Sequence, residues 1–471
     1  VLRFFRLNDP YRLLGVFVLL AAMSLPIFLS GLPASLQELK DMVLGEMLND
    51  GKVMYLQIVD DTPWLASWLA GVFEFVLGRS VAWRHFIALV LICFQTSFFA
   101  FILIRNRAYN ESTYLPALVF GVLCFFSFDM LSLSRELLGA TFLLFALNNL
   151  FKEIEFKVQR DETVLYLGIY LGVASLVVFS YSLFLIGVLL ILFVFARLSL
   201  RKALLLIFGF IFPHGVLAGS YYFKNGLGDL VTNFYLPNLT LHTENLISWS
   251  SLLILSIVVI LFFVTSLVML NREARFTKYQ SQLLQAMLLW LVIAAIEVAF
   301  TRHRTPHSFI TFVPPLTYFI SHYMLLIRRK WIAELVIWVF LLSTIGVSTF
   351  SRLRKIKRVD YSALLVHHSK YNFIQGKRVL VLGNDPGLYE RNKAASYFLN
   401  WNLSQETFNH PEYFEHVIRV DESFEKDPPD VIVDENRLME KMFARLPRWE
   451  RHYEKKGSLY FRTTGATVSG H

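Results

Sequence analysis

The chain has 471 residues, 55% of them hydrophobic, 15% aromatic and only 17% charged, with a mean hydropathy of +0.50. Soluble globular chains carry about a quarter charged residues, and a chain this long would divide into domains whose polar exteriors have no room for so much apolar surface. Lipid absorbs such a composition, so the net charge of +9 is read first as a report on membrane orientation and not on nucleic acid.

A helix needs about 20 apolar residues to cross the bilayer core. Runs of that kind fall at 13–31, 85–104, 114–131, 135–151, 164–181, 183–197, 203–222, 249–270, 283–300, 308–327 and 331–350. Cys93 and Cys124 lie inside such runs and read as buried thiols, not as disulfide or metal ligands. The stretch 62–78 is shorter and carries Glu74, which suggests a helix lying at the interface. Arg3, Arg6 and Arg12 precede the first run and place the N-terminus in the cytoplasm; without an obvious small-residue cleavage site that run reads as an uncleaved anchor. Alternate connections then hold Arg105/Arg107, Lys152/Lys157/Arg160, Arg197/Arg201/Lys202, Arg272/Arg275/Lys278 and Arg328/Arg329/Lys330. Every inner connection is basic, so spans chosen on hydropathy alternate correctly with charge.

The expected fold class is therefore a membrane all-α polytopic bundle of about eleven helices, residues 1–350, with a first outer connection at 32–84. The odd count leaves 351–471 outside as a small C-terminal extracytoplasmic α/β domain. Within it VLVLG (379–383), HVIRV (416–420) and DVIVD (430–434) read as strands, and 388–400 and 435–445 as helices. The GNDPG segment (383–387) follows a strand but lacks the repeated glycine spacing of a dinucleotide fingerprint and reads as a turn.

Chemistry would sit in the outer connections. In SLQELKDMVLGEMLNDG (35–51), Leu36, Leu39, Val43 and Met47 give an amphipathic helix whose other face shows Glu38 and Asp41, three residues apart. Asp60 and Asp61 then precede Thr62-Pro63, a helix-start signal; these carboxylates are either site residues or a solvated face and an N-cap. The connection at 222–248 mixes turn residues with aromatics and could cover a groove. TRHRTPHS (301–308) crowds Arg302, His303, Arg304 and His307 on the side where basic residues are sparse. A bound phosphate would explain them; so would lipid headgroups or pairing with Glu297. Asp129, Glu136 and Glu297 border the outer helix ends, where charges usually line a site or pathway.

The segments GEMLNDGKVMY (45–55), DDTPWLASWLAGVFEFVLGRSVAWR (60–84), SLSRELLGATFLLFALNNLF (132–151) and RTPHSFITFVPPLTYFI (304–320) carry a resemblance. The chain resembles the GT-C superfamily of polyprenyl-phosphate-dependent glycosyltransferases, and more closely a membrane family of Bacteroidota. The resemblance implies a polyprenyl-phosphate-linked sugar as donor, a glycan, lipid or protein acceptor, and a multi-pass protein of the bacterial inner membrane. The family's catalytic carboxylate pair stands nine or ten residues before its Glu-Met-Leu element; here that spacing reaches Leu36 and Gln37. Glu38 is the nearest equivalent base and Asp41 the fallback, while Asp60 or Asp61 matches a second acidic position that binds sugar or acceptor. No strict Asp-x-Asp motif is present, so neither a metal nor another cofactor is expected.

Two readings follow: a glycosyltransferase of the outer leaflet, or a non-catalytic GT-C-like scaffold docking a membrane or secretion-complex partner. A transporter ranks third, for want of an inverted repeat.

Overall fold

The computed structural model describes residues 2–29, 34–155, 160–196, 198–240, 243–273, 276–366 and 369–463. Lys157, Arg197 and Arg275, assigned above to inner connections, lie outside them, as do residues 32–33 and 241–242 of the outer connections. The protein is a multi-pass helical membrane protein. Each of the eleven apolar runs contains a helix, and among the described residues eight helices are long and apolar enough to cross a membrane: Arg12–Leu29, Val81–Arg105, Arg135–Glu155, Leu200–Phe223, Trp249–Arg272, Lys278–Phe300, Pro306–Leu326 and Lys330–Arg352. The other three runs form shorter helices, Leu115–Leu123, Asp161–Val177 and Leu183–Phe195. The first stops at Cys124 and is followed by a 3-10 turn at Phe128–Leu131; the other two are separated by one at Phe179–Ser182. At about 1.5 Å rise per residue, nine residues cover less than half of a hydrocarbon core about 30 Å thick.

By contact the chain divides into two compact units, 1–33 with 80–217 and 241–364, and 34–79 with 218–240 and 365–471. The first unit holds the long spans, packed in places through glycine. A Cβ added at Gly168 would lie 2.2 Å from the Leu206 carbonyl oxygen, so helices Asp161–Val177 and Leu200–Phe223 touch backbone to backbone.

The second unit is built on a five-stranded mixed sheet in the order Lys393–Ala394, Arg378–Val381, Val431–Val433, Leu459–Arg462, Tyr453–Lys456. The first three strands run parallel and the last two form an antiparallel hairpin. Two of the expected strands and the helix at Leu438–Arg445 are present. HVIRV is not a strand: it lies in helix Phe414–Lys426, which buries Val417, Val420 and Phe424. Those positions follow the helical period, visible only in a window longer than five residues. Nor is 388–400 a helix; Pro386–Glu390 makes a 3-10 turn and Lys393–Ala394 becomes the edge strand, bonded to Arg378–Val381.

The same unit contains the first outer connection. Val59 belongs to the apolar core formed by Leu380, Phe398, Phe408 and Phe424. Its N–H donates to the Tyr397 carbonyl at 2.7 Å, and its carbonyl accepts from the Asn400 N–H at 3.1 Å. Helix Leu36–Asn49 starts on a capping box, with the Ser35 hydroxyl taking the Glu38 N–H and the Glu38 carboxylate taking the Ser35 N–H. It packs on helix Trp64–Leu77 so closely that a Cβ at Gly45 would sit 2.5 Å from the Ala70 carbonyl oxygen and 2.6 Å from the Glu74 Cβ. The opposite stripe of Trp64–Leu77, Trp68, Val72, Phe75 and Val76, is exposed, Phe75 by 81%. Gly45→Ala should cost about 1–3 kcal/mol, the usual penalty of overpacking, measured as a lower Tm of the purified protein. An unchanged Tm would show that the two helices are free to move apart.

Candidate functional site

Asp60 and Asp61 sit on a short segment that leaves helix Leu36–Asn49 through Tyr55, whose φ of 64° is left-handed and uncommon for a bulky side chain. Such a conformation persists only where its surroundings over-determine it, and they do. The Tyr55 hydroxyl donates to the Thr62 carbonyl at 2.6 Å, and its carbonyl accepts from the Asn233 amide at 2.8 Å. Its ring packs between Tyr221 and Phe234 at 5.7 and 5.6 Å. Burial raises its pKa well above the ordinary phenol value, with Asp60 and Asp61 adding to the effect, so the hydroxyl stays a donor.

The two carboxylates share one amide. Asn400 donates to Asp60 Oδ1 at 3.2 Å and to Asp61 Oδ1 at 2.8 Å. Asp60 Oδ2 accepts the Thr62 N–H at 3.2 Å and the Thr62 hydroxyl; the Asp61 carbonyl accepts from Asn238 at 2.8 Å. Neither aspartate is an N-cap, since Pro63 caps helix Trp64–Leu77 without a side-chain bond and Asp60 closes only a local turn onto Thr62; nor is either solvated: both are buried, and so are Glu38 and Asp41. One Glu38 oxygen is committed to the capping box. Carboxylates held in fixed geometry by neutral donors can orient an acceptor hydroxyl or take its proton.

In the other unit the basic cluster also resolves into distinct parts. Arg304 is buried, its Nε and Nη2 donating to the carbonyls of Val298 and Ala299 at 3.1 and 3.0 Å, and its Nη1 to Asn245 Oδ1 at 2.5 Å. Its guanidinium stacks 4.3 Å from the Trp249 ring. Glu244 and Asn245 pair in parallel with His303 and Arg304, and His303 Nδ1 lies 3.2 Å from the Glu244 carboxylate. His307 is buried between Ser132 and Ser134, its Nε2 2.7 Å and its Nδ1 3.0 Å from their hydroxyls. Asp129 is 3.8 Å away from it and accepts from the Ser127 hydroxyl. Glu297 does not pair with the arginines; its carboxylate accepts from Ser180 at 2.6 Å and Thr311 at 3.3 Å. Arg302 stands half-buried beside this loop. Among the described residues no group of three His, Cys, Asp or Glu is placed to hold a metal.

Asn400, Asn238, Asn233, Ser132 and Ser134 have no local signature. Each contact spans well over a hundred residues of sequence, 339 between Asn400 and Asp61. Only the Ser35-x-x-Glu38 box was there to be read.

No protein-family model and no curated protein matches the sequence. Solved structures do match. The crystal structure of ArnT from Cupriavidus metallidurans bound to undecaprenyl phosphate superposes with a TM-score of 0.55 at 11% identity, covering 97% of this chain and 99% of that one. The same protein in the apo state gives 0.53 at 11% identity, over 84% and 88% of the two chains. The chain therefore shares the fold of these ArnT structures over nearly its full length.

Asn400→Asp would replace the shared donor by a third, half-buried carboxylate and leave the buried Asp60 and Asp61 short of a donor, which should cost at least about 1–3 kcal/mol, the penalty of an unsatisfied buried polar group, seen as a lower Tm. Arg304→Gln should cost at least about 1.5–3 kcal/mol, the worth of one charge-assisted hydrogen bond. If Arg304→Gln leaves the Tm intact, the fork is not a structural clamp.

Proposed function

We propose that the protein is a membrane glycosyltransferase that moves a sugar from a polyprenyl-phosphate carrier to a glycan, lipid or protein acceptor of the bacterial cell envelope. The observation that carries this reading is the fold shared with ArnT, whose crystal structure was determined with undecaprenyl phosphate bound. Charge alternation supports an N-terminus in the cytoplasm and 351–471 in the periplasm, with helix Leu115–Leu123 crossing together with the turn at Phe128–Leu131 and the other two shorter helices completing eleven crossings. The chemistry is a displacement at the anomeric carbon. A carboxylate takes the acceptor's hydroxyl proton as its oxygen attacks, and the carrier phosphate leaves with the bonding pair.

Glu38 is assigned as that base, with Asp41 behind it, and Asp60 and Asp61 shape the acceptor site. Arg302, His303 and His307 hold the carrier phosphate. Arg304, three of whose nitrogens are already bonded to protein oxygens, fixes the loop that presents them and adds its charge. A second reading, a non-catalytic scaffold docking a membrane partner, draws on one fact: a Glu38 oxygen is already bonded to the Ser35 N–H, as in an ordinary helix cap.

Glutamine at the third helical position also closes a capping box, so Glu38→Gln separates the readings cleanly. In proteoliposomes supplied with polyprenyl-phosphate sugars, Glu38→Gln should keep the parent's Tm and lose about 10²–10⁴ in turnover. Asp61→Asn should raise KM for the acceptor. Parental turnover in Glu38→Gln removes the base from this residue, and a parent inactive on every donor favours the scaffold. For topology, a cysteine at the exposed Lys441, in a background without Cys93 and Cys124, should react with an impermeant maleimide added from the periplasmic side. Reaction from the cytoplasmic side alone would invert the proposed orientation.

A further inference from the structure

The second unit contains a cavity of about 480 Å³, lined by Asp50, Lys52, Gln57, Arg378, Lys393, Tyr397, Lys426 and Asp427 among others. None of these is a residue to which catalysis or carrier binding is assigned above. Four of the lining side chains are cationic and two are anionic, a surplus of two positive charges. The surplus is unevenly placed. Asp427 is buried and serves two cations at once, pairing with Lys52 and Arg378, while the Ser396 N–H donates to it at 3.1 Å. Lys52 also donates to the Ser396 carbonyl at 2.9 Å. Burial pulls its pKa below the ordinary lysine value, Asp427 acting against that shift.

Lys393 and Lys426, both exposed, have no carboxylate partner among the described residues. Tyr397 is 3% exposed, and its hydroxyl is buried without a hydrogen-bond partner, which native interiors rarely tolerate. Arg378 and Lys393 open their strands, so the basic groups converge at the amino ends of the two parallel strands, whereas GNDPG follows the carboxyl end of one. Two clamped cations at the wall, two unpaired lysines at the rim and a spare buried hydroxyl make a receptor for a compact dianion.

We propose that this cavity is a binding site for a phosphate ester, separate from the site that holds the carrier phosphate. A phosphate monoester brings close to two negative charges at neutral pH, which matches the surplus, and the volume admits a sugar phosphate or the monoester headgroup of a lipid. The proposal stands whether or not the protein transfers sugar.

The full-length protein in neutral detergent is titrated calorimetrically with glucose 1-phosphate, and in nanodiscs it is compared in phosphatidic acid, a phosphate monoester, and phosphatidylcholine for lipid retention. Lys393→Ala/Lys426→Ala touches only exposed, unpaired side chains, so its Tm should equal the parent's; Lys393→Glu serves as the second variant should the pair fail to fold. Loss of charge-assisted contacts should weaken binding at least about tenfold, one power of ten per 1.4 kcal/mol. Weakening in the glucose 1-phosphate arm identifies a soluble phosphate ester. Loss of preferential phosphatidic acid retention alone identifies a lipid headgroup. Equal binding by parent and variants in both arms, or no binding by the parent in either, overturns the site.

Discussion

The candidate carboxylates depend on one piece of backbone pairing. Val59 exchanges hydrogen bonds with Tyr397 and Asn400 and drops its side chain into the core of the C-terminal sheet. Because Asp60 and Asp61 follow directly, that pairing sets where both carboxylates lie, and the amide of Asn400 reaches the two of them. The left-handed Tyr55 and the asparagines at 233 and 238 hold the segment from its other side. Each carboxylate of the buried acidic pair accepts from the Asn400 amide, and Asp60 also accepts from Thr62. An isolated buried charge would be far more costly.

The first unit shows the complementary solution for buried cations. Arg304 follows the end of helix Lys278–Phe300 and donates to the carbonyls of Val298 and Ala299, groups that have no partner within the helix. A positive charge there also suits the negative end of the helix dipole. Its position against the usual charge bias therefore has a local cause, independent of any ligand. His307 is likewise engaged by the fold, bracketed by two serine hydroxyls with Asp129 behind it, whereas Arg302 and His303 are only half-buried.

What the sequence disclosed follows from the range of each interaction. Apolar runs are local, and all eleven contain helices. The distinction between eight long helices and three short ones turned on 3-10 breaks at Phe128–Leu131 and Phe179–Ser182, which apolar composition conceals. HVIRV looked like a strand because five residues cannot separate a period of two from one of 3.6. Glu38, Asp41, Asp60 and Asp61 were legible as a group of acids near one another in sequence. Their burial was not, since the amide that bridges Asp60 and Asp61 comes from Asn400, hundreds of positions away. Asn400 and Asn238 carry no motif, and only the folded chain reveals them as partners.

That separation has a consequence in time. Asp60 and Asn400 lie 340 residues apart, and ribosomes add roughly 5–20 residues per second. Some 17–70 s therefore pass, on the order of a minute, between emergence of the aspartates and emergence of the amide that holds them. During that interval the spans can already be inserted, and Asn233 and Asn238 can already hold Tyr55 and Asp61, while Val59 and the two carboxylates still lack their partners at 397 and 400. The acidic pair is thus among the last features of the protein to be assembled, and a chain that stops before residue 400 leaves Asp60 and Asp61 without Asn400.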